Sequence, residues 1–418
     1  MNSARKTFLI GLLCLAHAAG LPASPKKAAQ PPPPARAESP RQAEIPADTL
    51  AIAYLRQAQA APPGLPLFLA WPADAGLQGA RLGVADNNTT GRFTRQNFVL
   101  QEVSLPADAD AADAFKQLLA QGHRHILADL SAATLAALAK LPEAGKILIY
   151  NVGSADDRLR GADCAANLLH LPPSRAMRAD ALMQYLSKKR WQKIFLVVGA
   201  EEADKLYAAA IQRAARHFGV KIVAEKPWQH RFDDRRTPES EIPVFTQGVD
   251  YDLLVVADEA GTFGDLLAYR TWQPRPVAGT QGLVPSGWHF THEQWGALQL
   301  QNRFREQAGR WMGETDYAAW LAVRAVGEAA SRVKSTDFDK LKAFMLGGEF
   351  ALAGFKGVPL SFRPWDGQLR QPVLLAAERS LVAVAPVEGF LHQKNELDTL
   401  GYDQPETQCH LPSPGATP

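Results

Sequence analysis

Beyond residue 48, short apolar runs alternate with stretches of helical period. Residues 50–55 and 98–103 read as strands. Residues 76–88 are ambiguous by period alone: Leu77, Ala80 and Val84 fit a helix face, while Leu82 and Val84 also fit a strand. Asp108 or Asp110 can cap a helix whose buried face is Ala111, Phe115, Leu118 and Leu119, ending near Gly122. A strand over 126–130, a helix over 134–141 and a strand over 146–150 follow. This alternation predicts an α/β fold, a parallel sheet flanked by helices. A second series repeats the arrangement. Ser174 caps a helix carrying Met177, Ala181, Leu182, Tyr185 and Leu186. Then come a strand over 194–198, a helix over 206–218 stopped by Gly219, and strands over 220–224 and 253–257. Between the last two, Asp233-Asp234-Arg235-Arg236 reads as a solvated surface insertion. Helical patterns return at 295–307 and 317–333. After Gly347-Gly348 the period shortens, and 350–362, 372–376 and 381–384 fit a small meander with Trp365-Asp366-Gly367 as a turn.

The ends and the composition add compartment and class. A chain of 418 residues suits two domains. Its 45 basic residues against 43 acidic ones leave no strongly basic patch, which argues against a nucleic-acid partner. Arg5 and Lys6, the apolar run 8–15 and Ala16-His17-Ala18 form an export signal cleaved after Ala18, which predicts a periplasmic protein. Leu13 is bulky where a lipid-attachment signal at Cys14 needs a small residue. No later segment is long and apolar enough to span a membrane, so no stable membrane insertion is predicted. Residues 19–48, rich in Pro and Ala, cannot build a core and read as a tether. Cys164 and Cys409 remain after cleavage. An oxidising compartment favours a bridge between them over two unpaired thiols.

The chemistry of catalysis is missing. There is no Gly-rich phosphate loop, dinucleotide fingerprint or Gly-x-Ser-x-Gly elbow. His289 and His292 have helical spacing but no Glu or Cys beside them to complete a metal set. Asp156-Asp157 reads as a turn or helix cap, and Asn88-Thr89-Thr90 matches a glycosylation acceptor. No enzyme, cofactor or metal site is predicted. What remains is polar residues at the carboxyl ends of predicted strands, the edge where open parallel sheets bind ligands. Ser131 and Thr134 follow one strand; a ligand contact and a simple helix cap are both open there. Asn151 and Ser154 follow the next. Asp258 and Glu259 follow the strand 253–257, free to meet a ligand amine or hydroxyl, or solvent. Trp288, His289 and Trp295 suit aromatic packing or a pocket wall.

Several runs carry a resemblance. Asn167-Leu168-Leu169-His170-Leu171-Pro172-Pro173-Ser174, a long helix, then Arg190-Trp191-Gln192-Lys193-Ile194-Phe195-Leu196-Val197 resembles the interlobe crossing of type I periplasmic binding proteins of ABC transporters. Gly79-Ala80-Arg81-Leu82-Gly83-Val84-Ala85-Asp86-Asn87-Asn88 resembles the first helix of their branched-chain-amino-acid group, and Asp316-Tyr317-Ala318-Ala319-Trp320 a later one. Trp365-Asp366-Gly367-Gln368-Leu369-Arg370-Gln371-Pro372, Asn395-Glu396-Leu397-Asp398-Thr399-Leu400-Gly401 and Glu406-Thr407-Gln408-Cys409 resemble the binding proteins associated with PQQ-dependent alcohol dehydrogenase systems.

The resemblance implies two Rossmann-like lobes joined by three crossings, with a small-molecule ligand between them and a transporter permease as partner. On it, residues 49–173 with 291–334 form one lobe, 174–290 with 335–390 the other, and 391–418 a tail. It also implies Tyr207 as a second-lobe contact, helix packing being the other reading. The departures are Tyr207-Ala208, where the group has Tyr-Gly, and Asn151-Val152-Gly153-Ser154, in place of its Ser/Ala-Thr loop. An amino-acid ligand is therefore not carried over. A ligand sensor without transport, or an accessory factor of the dehydrogenase, is the competing expectation.

Overall fold

The structure is a computed structural model that describes residues 48–58, 72–229 and 235–411. The expected signal, almost all of the tether and the Asp233-Asp234 pair lie outside those residues. In chain order the first series is β1 (Asp48–Gln57), α1 (Leu77–Thr94), β2 (Gln96–Leu105), α2 (Ala111–Ala120), β3 (His125–Asp129), α3 (Ala132–Ala139), β4 (Leu148–Asn151) and β5 (Leu168–His170). Its five strands are all parallel, in the order β2-β1-β3-β4-β5. Local chemistry starts the helices as expected: Asp110 accepts from Ala112 N at the head of α2, and Ser131 accepts from Thr134 N at the head of α3.

The second series is α4 (Arg175–Lys189), β6 (Lys193–Val198), α5 (Glu202–His217), β7 (Lys221–Pro227), α6 (Pro238–Thr246), β8 (Leu253–Ala257), α7 (Gly264–Leu267), β9 (Val277–Gly279) and β10 (Val284–Ser286). Strands β7-β6-β8-β9 make a second parallel sheet. Ser174 caps α4 through Met177 N, and α5 gives way to Gly219 at positive φ. The charged stretch after β7 is not only an insertion loop. It contains α6, started by a Thr237–Ser240 capping box with Pro238 in the first turn.

The remaining elements are α8 (Ala297–Ala308), α9 (Glu314–Val333), α10 (Phe338–Met345), β11 (Leu352–Ala353), β12 (Pro359–Phe362), β13 (Leu369–Arg370), β14 (Val373–Ala377) and β15 (Ser380–Ala385). The ambiguous segment is helix α1, and the reason is α9. Leu77, Ala80 and Leu82 are buried with Trp320, Val323 and Val326 of α9 in the core that holds Leu50, Ile52 and Tyr54 of β1. The two helices touch at Gly79, where a Cβ would lie 1.8 Å from the Asp316 carbonyl oxygen. The chain thus enters the second lobe after Leu171 and returns to the first near Trp288.

Its third crossing comes later than expected. Leu341, Met345, Leu352, Leu360 and Leu369 belong to the first-lobe core, whereas Val373, Leu375 and Ala385 belong to the second. Residues 335–370 therefore pack on the first lobe, and the crossing falls at Gln371-Pro372. The cause is α10, whose apolar face lies on α9 and keeps the chain there. The expected single meander is two separate sheets, β11-β12-β13 and β10-β14-β15. Cys164 and Cys409 are joined, with Cα atoms 5.7 Å apart.

Candidate functional site

In open parallel sheets the loops leaving the carboxyl ends of the strands form the binding edge. In the first lobe these are the loops after β3 and β4; in the second, the loops after β6 and β8.

The first-lobe loops are largely self-braced. The Ser131 hydroxyl lies 2.8 Å from that of Thr134 and accepts from Thr134 N at 3.1 Å, so both serve as a helix cap. Asn151 is fully buried. Its amide donates to Ser154 O at 2.7 Å and meets His170 Nδ1 at 3.1 Å, while its oxygen accepts from Ser154 N at 2.8 Å. The Ser154 hydroxyl accepts from Asp156 N at 3.3 Å. Asp129, at the end of β3, lies over Gly153, where a Cβ would come within 2.3 Å of its carboxylate. Burial pushes this carboxyl up to about 6, against the pull of the Arg56 guanidinium.

In the second lobe, Asp258 turns inward. Its carboxylate accepts from Thr262 N at 2.9 Å, Phe263 N at 2.9 Å, Gly264 N at 2.7 Å and the Thr262 hydroxyl at 3.1 Å, and 1% of the residue is exposed. Four donors satisfy it, leaving little capacity for a ligand. Glu259 does the opposite and faces Arg175. The Arg175 guanidinium donates to it through Nη2 at 2.6 Å and Nε at 2.9 Å. Arg175 Nη1 lies 3.6 Å from Asp156 of the loop after β4. One guanidinium at the head of α4 therefore joins the carboxyl-end loops of both lobes. One helical turn on, Arg178 pairs with Glu314 at the head of α9 at 3.0 Å, a second link between the lobes.

Tyr207 is 2% exposed and belongs to the second-lobe core. Its hydroxyl has no hydrogen-bond partner, and neither has Arg175 Nη1. Burial raises the Tyr207 ionisation, with the charges of Arg178 and Glu259 close enough to act on it. Buried donors are nearly always paired, so the Tyr207 hydroxyl beside this ion-pair cluster retains capacity for an acceptor. The structure thus groups Tyr207 with Glu259, and sets Ser131, Thr134, Asn151 and Asp258 into their own loops.

Sequence reasoning missed Arg175, Arg178, Asp129 and Glu314. A signal for the arginines was present: basic residues in the first turn of a helix oppose its dipole and need another reason to be there. Asp156 and Asp157 do act as caps, through Arg158 N and Ala176 N. Asn88 pairs both its amide atoms with the Phe98 backbone, so the acceptor motif is tied into the sheet. His289 and His292 meet the Thr291 hydroxyl and the Phe355 carbonyl. Trp288 stacks on Tyr317 at 4.2 Å inside the first-lobe core, and Trp295 is 65% exposed. Two cavities, of 40 and 60 Å³, lie outside this region, one between α1 and α9 and one beside Leu168 and Arg363. Among the described residues no helix is long and apolar enough to cross a membrane.

Residues 53–234 match the family described as "Periplasmic binding protein". No curated protein matches. Solved structures share the fold over most of the chain. A branched chain amino acid ABC transporter periplasmic ligand-binding protein from Burkholderia xenovorans LB400 aligns with a TM-score of 0.68 at 15% identity, over 86% of this chain and 99% of that one. An ABC transporter substrate-binding protein from Desulfitobacterium hafniense, in complex with Leu, gives 0.62 at 15%, over 80% and 99%. A solute-binding protein from R. palustris, in complex with benzoate, gives 0.62 at 12%, over 87% and 100%. Over residues 53–234 this chain carries the sequence pattern of the periplasmic binding proteins, and over its described body it carries their two-lobed α/β fold.

Proposed function

We propose that this chain is the exported substrate-binding component of an ABC transporter, taking up a small molecule between its lobes and presenting it to a permease. The observation that carries the reading is the convergence of the carboxyl-end loops of both lobes on Arg175, beside the unpartnered Tyr207 hydroxyl. A ligand accepting from Tyr207 and Arg175, and touching Asp156 or Ser154 across the gap, contacts both lobes at once. Such contacts favour the closed arrangement by their differential affinity for it. The remaining strand-end residues, Ser131, Thr134, Asn151 and Asp258, shape the loops rather than supply the strongest contacts. The fold neighbours bound to Leu and benzoate support a small organic ligand. The likeness of the Trp365-Asp366-Gly367-Gln368 run and of the tail supports a setting near periplasmic alcohol oxidation.

The test is a thermal-shift screen of amino acids, aromatic and short-chain acids, small alcohols and lanthanide salts. A ligand at a hundred times its Kd stabilises the native state by about 2.7 kcal/mol. Replacement Tyr207→Phe removes an unsatisfied hydroxyl, so the unliganded protein melts no lower than wild type, whereas affinity for the ligand found falls roughly tenfold, about 1.4 kcal/mol. Equal affinity of the two proteins would remove Tyr207 from the site. Turnover of an alcohol or aldehyde by the purified protein would overturn the whole reading.

A further inference from the structure

The C-terminal tail passes between the lobes once more, after the three crossings of the main body. It first docks at the third crossing: Asp398 accepts from Arg363 Nε at 3.0 Å and Arg370 Nε at 2.7 Å, and Arg363 Nη2 also donates to Leu400 O at 2.7 Å. It then enters the second lobe. Leu400 is fully buried in that core, Gly401 N donates to the buried Asp180 carboxylate of α4 at 2.7 Å, and Gln184 donates to the Thr399 hydroxyl at 3.2 Å. Arg213 of α5 holds this part from both sides, donating to Gly401 O at 2.8 Å and to Glu406 at 3.1 Å while its guanidinium lies 4.2 Å over the Tyr402 ring. Directly afterwards the tail returns to the first lobe. The Thr407 hydroxyl donates to Arg160 O at 3.3 Å, and Cys409 is bonded to Cys164.

Two residues, Thr407 and Gln408, and so three Cα-to-Cα steps, separate a second-lobe anchor, Glu406 on Arg213, from a covalent first-lobe anchor, Cys409 on Cys164. Three extended steps span at most about 10 Å. Any hinge motion that would carry Glu406 farther than this from Cys409 must pull Glu406 off Arg213 or break the bridge, and a larger one, once the longer run from Gly401 is drawn straight, must pull Gly401 off Asp180.

We propose that the tail is a strap that limits how far the two lobes swing apart, with the Cys164–Cys409 bond fixing its end. Its length between Glu406 and Cys409 sets the limit. The strap acts on the hinge with or without ligand, so it stands or falls independently of the transport role.

The test places spin labels on one exposed side chain of each lobe, Lys116→Cys on α2 and Lys205→Cys on α5, in the full chain with Cys14→Ser, and reads the interlobe distance distribution in non-reducing buffer. Two changes release the strap by different routes. Cys164→Ser with Cys409→Ser frees its end. Four Gly/Ser residues inserted after Glu406 lengthen it while the bridge remains. Both variants are expected to shift the distribution to longer distances and broaden it relative to the parent. The insertion decides the matter alone if the Ser pair does not fold. Distributions superimposable on the parent's in the folded variants would overturn the proposal.

Discussion

Lys356 is 5% exposed at the third crossing, donating to Gln371 Oε1 at 2.7 Å and Pro372 O at 2.9 Å. Burial drives its ammonium down to about 7 from an ordinary value of 10.5. Between those values the unfolded chain holds this proton and the folded chain releases it, so Lys356 makes stability rise with pH in that window. Below it both states are charged, and the full cost of the buried charge is present. In the Lys356→Met variant the increase in melting temperature from pH 7 to pH 10 is expected to be shallower, by up to about 1.4 kcal/mol of stability per pH unit. Unchanged slopes in paired melts would show that the ammonium is solvated. The same residue-scale logic separates Asp258 from Glu259. They are neighbours in sequence, yet one carboxylate is satisfied by its own loop and the other faces Arg175. No pattern of residue types distinguishes them, because the difference lies in where the backbone turns after β8.

At the scale of elements, α1 and α9 show how a helix is fixed by its partner. The Asp316 carbonyl leaves no room for a side chain at Gly79, and Val323 crowds Gly83 in the same way. Gly79→Ala gains helix propensity of up to about 1 kcal/mol but forces the helices apart, so a net loss of about 1–3 kcal/mol is expected. Urea unfolding of the variant checks this, and a midpoint at or above that of the parent would mean that the pair can spread without loss. Elements with strong local signals were legible in the sequence. Asp110, Ser131 and Ser174 each sit at a helix head and accept the amides that such a cap must accept. Helix α6 was not legible, because Pro238, Pro243 and the flanking charges hide an apolar face of few residues. Nor was β13, two residues long, since a strand that short exists only through the partner it pairs with. The lobe assignment of 335–370 failed for the same reason: it depends on what α10 packs against, which is a tertiary fact.

For the whole molecule, the Cys164–Cys409 bond closes a loop with a sequence separation of 245 and ties the C-terminal tail to the first lobe. Replacing both cysteines by Ser is expected to cost about 2–5 kcal/mol through the freedom regained by the unfolded chain. A lower denaturant midpoint in non-reducing buffer, absent once both proteins are reduced, is the signature. An unchanged midpoint would mean that the tail's polar contacts hold it unaided. The interleaved path through the lobes has a further consequence. Asn87 of α1 donates to Val323 O of α9 across 236 positions, and β10 is paired to β14. Neither half of the molecule is a continuous piece of polypeptide. A recombinant chimera exchanging one half with a relative would need joins at Leu171, near Trp288, at Gln371 and again in the tail, and any hybrid cut once between α1 and α9 would marry the face of α1 to a stranger's helix.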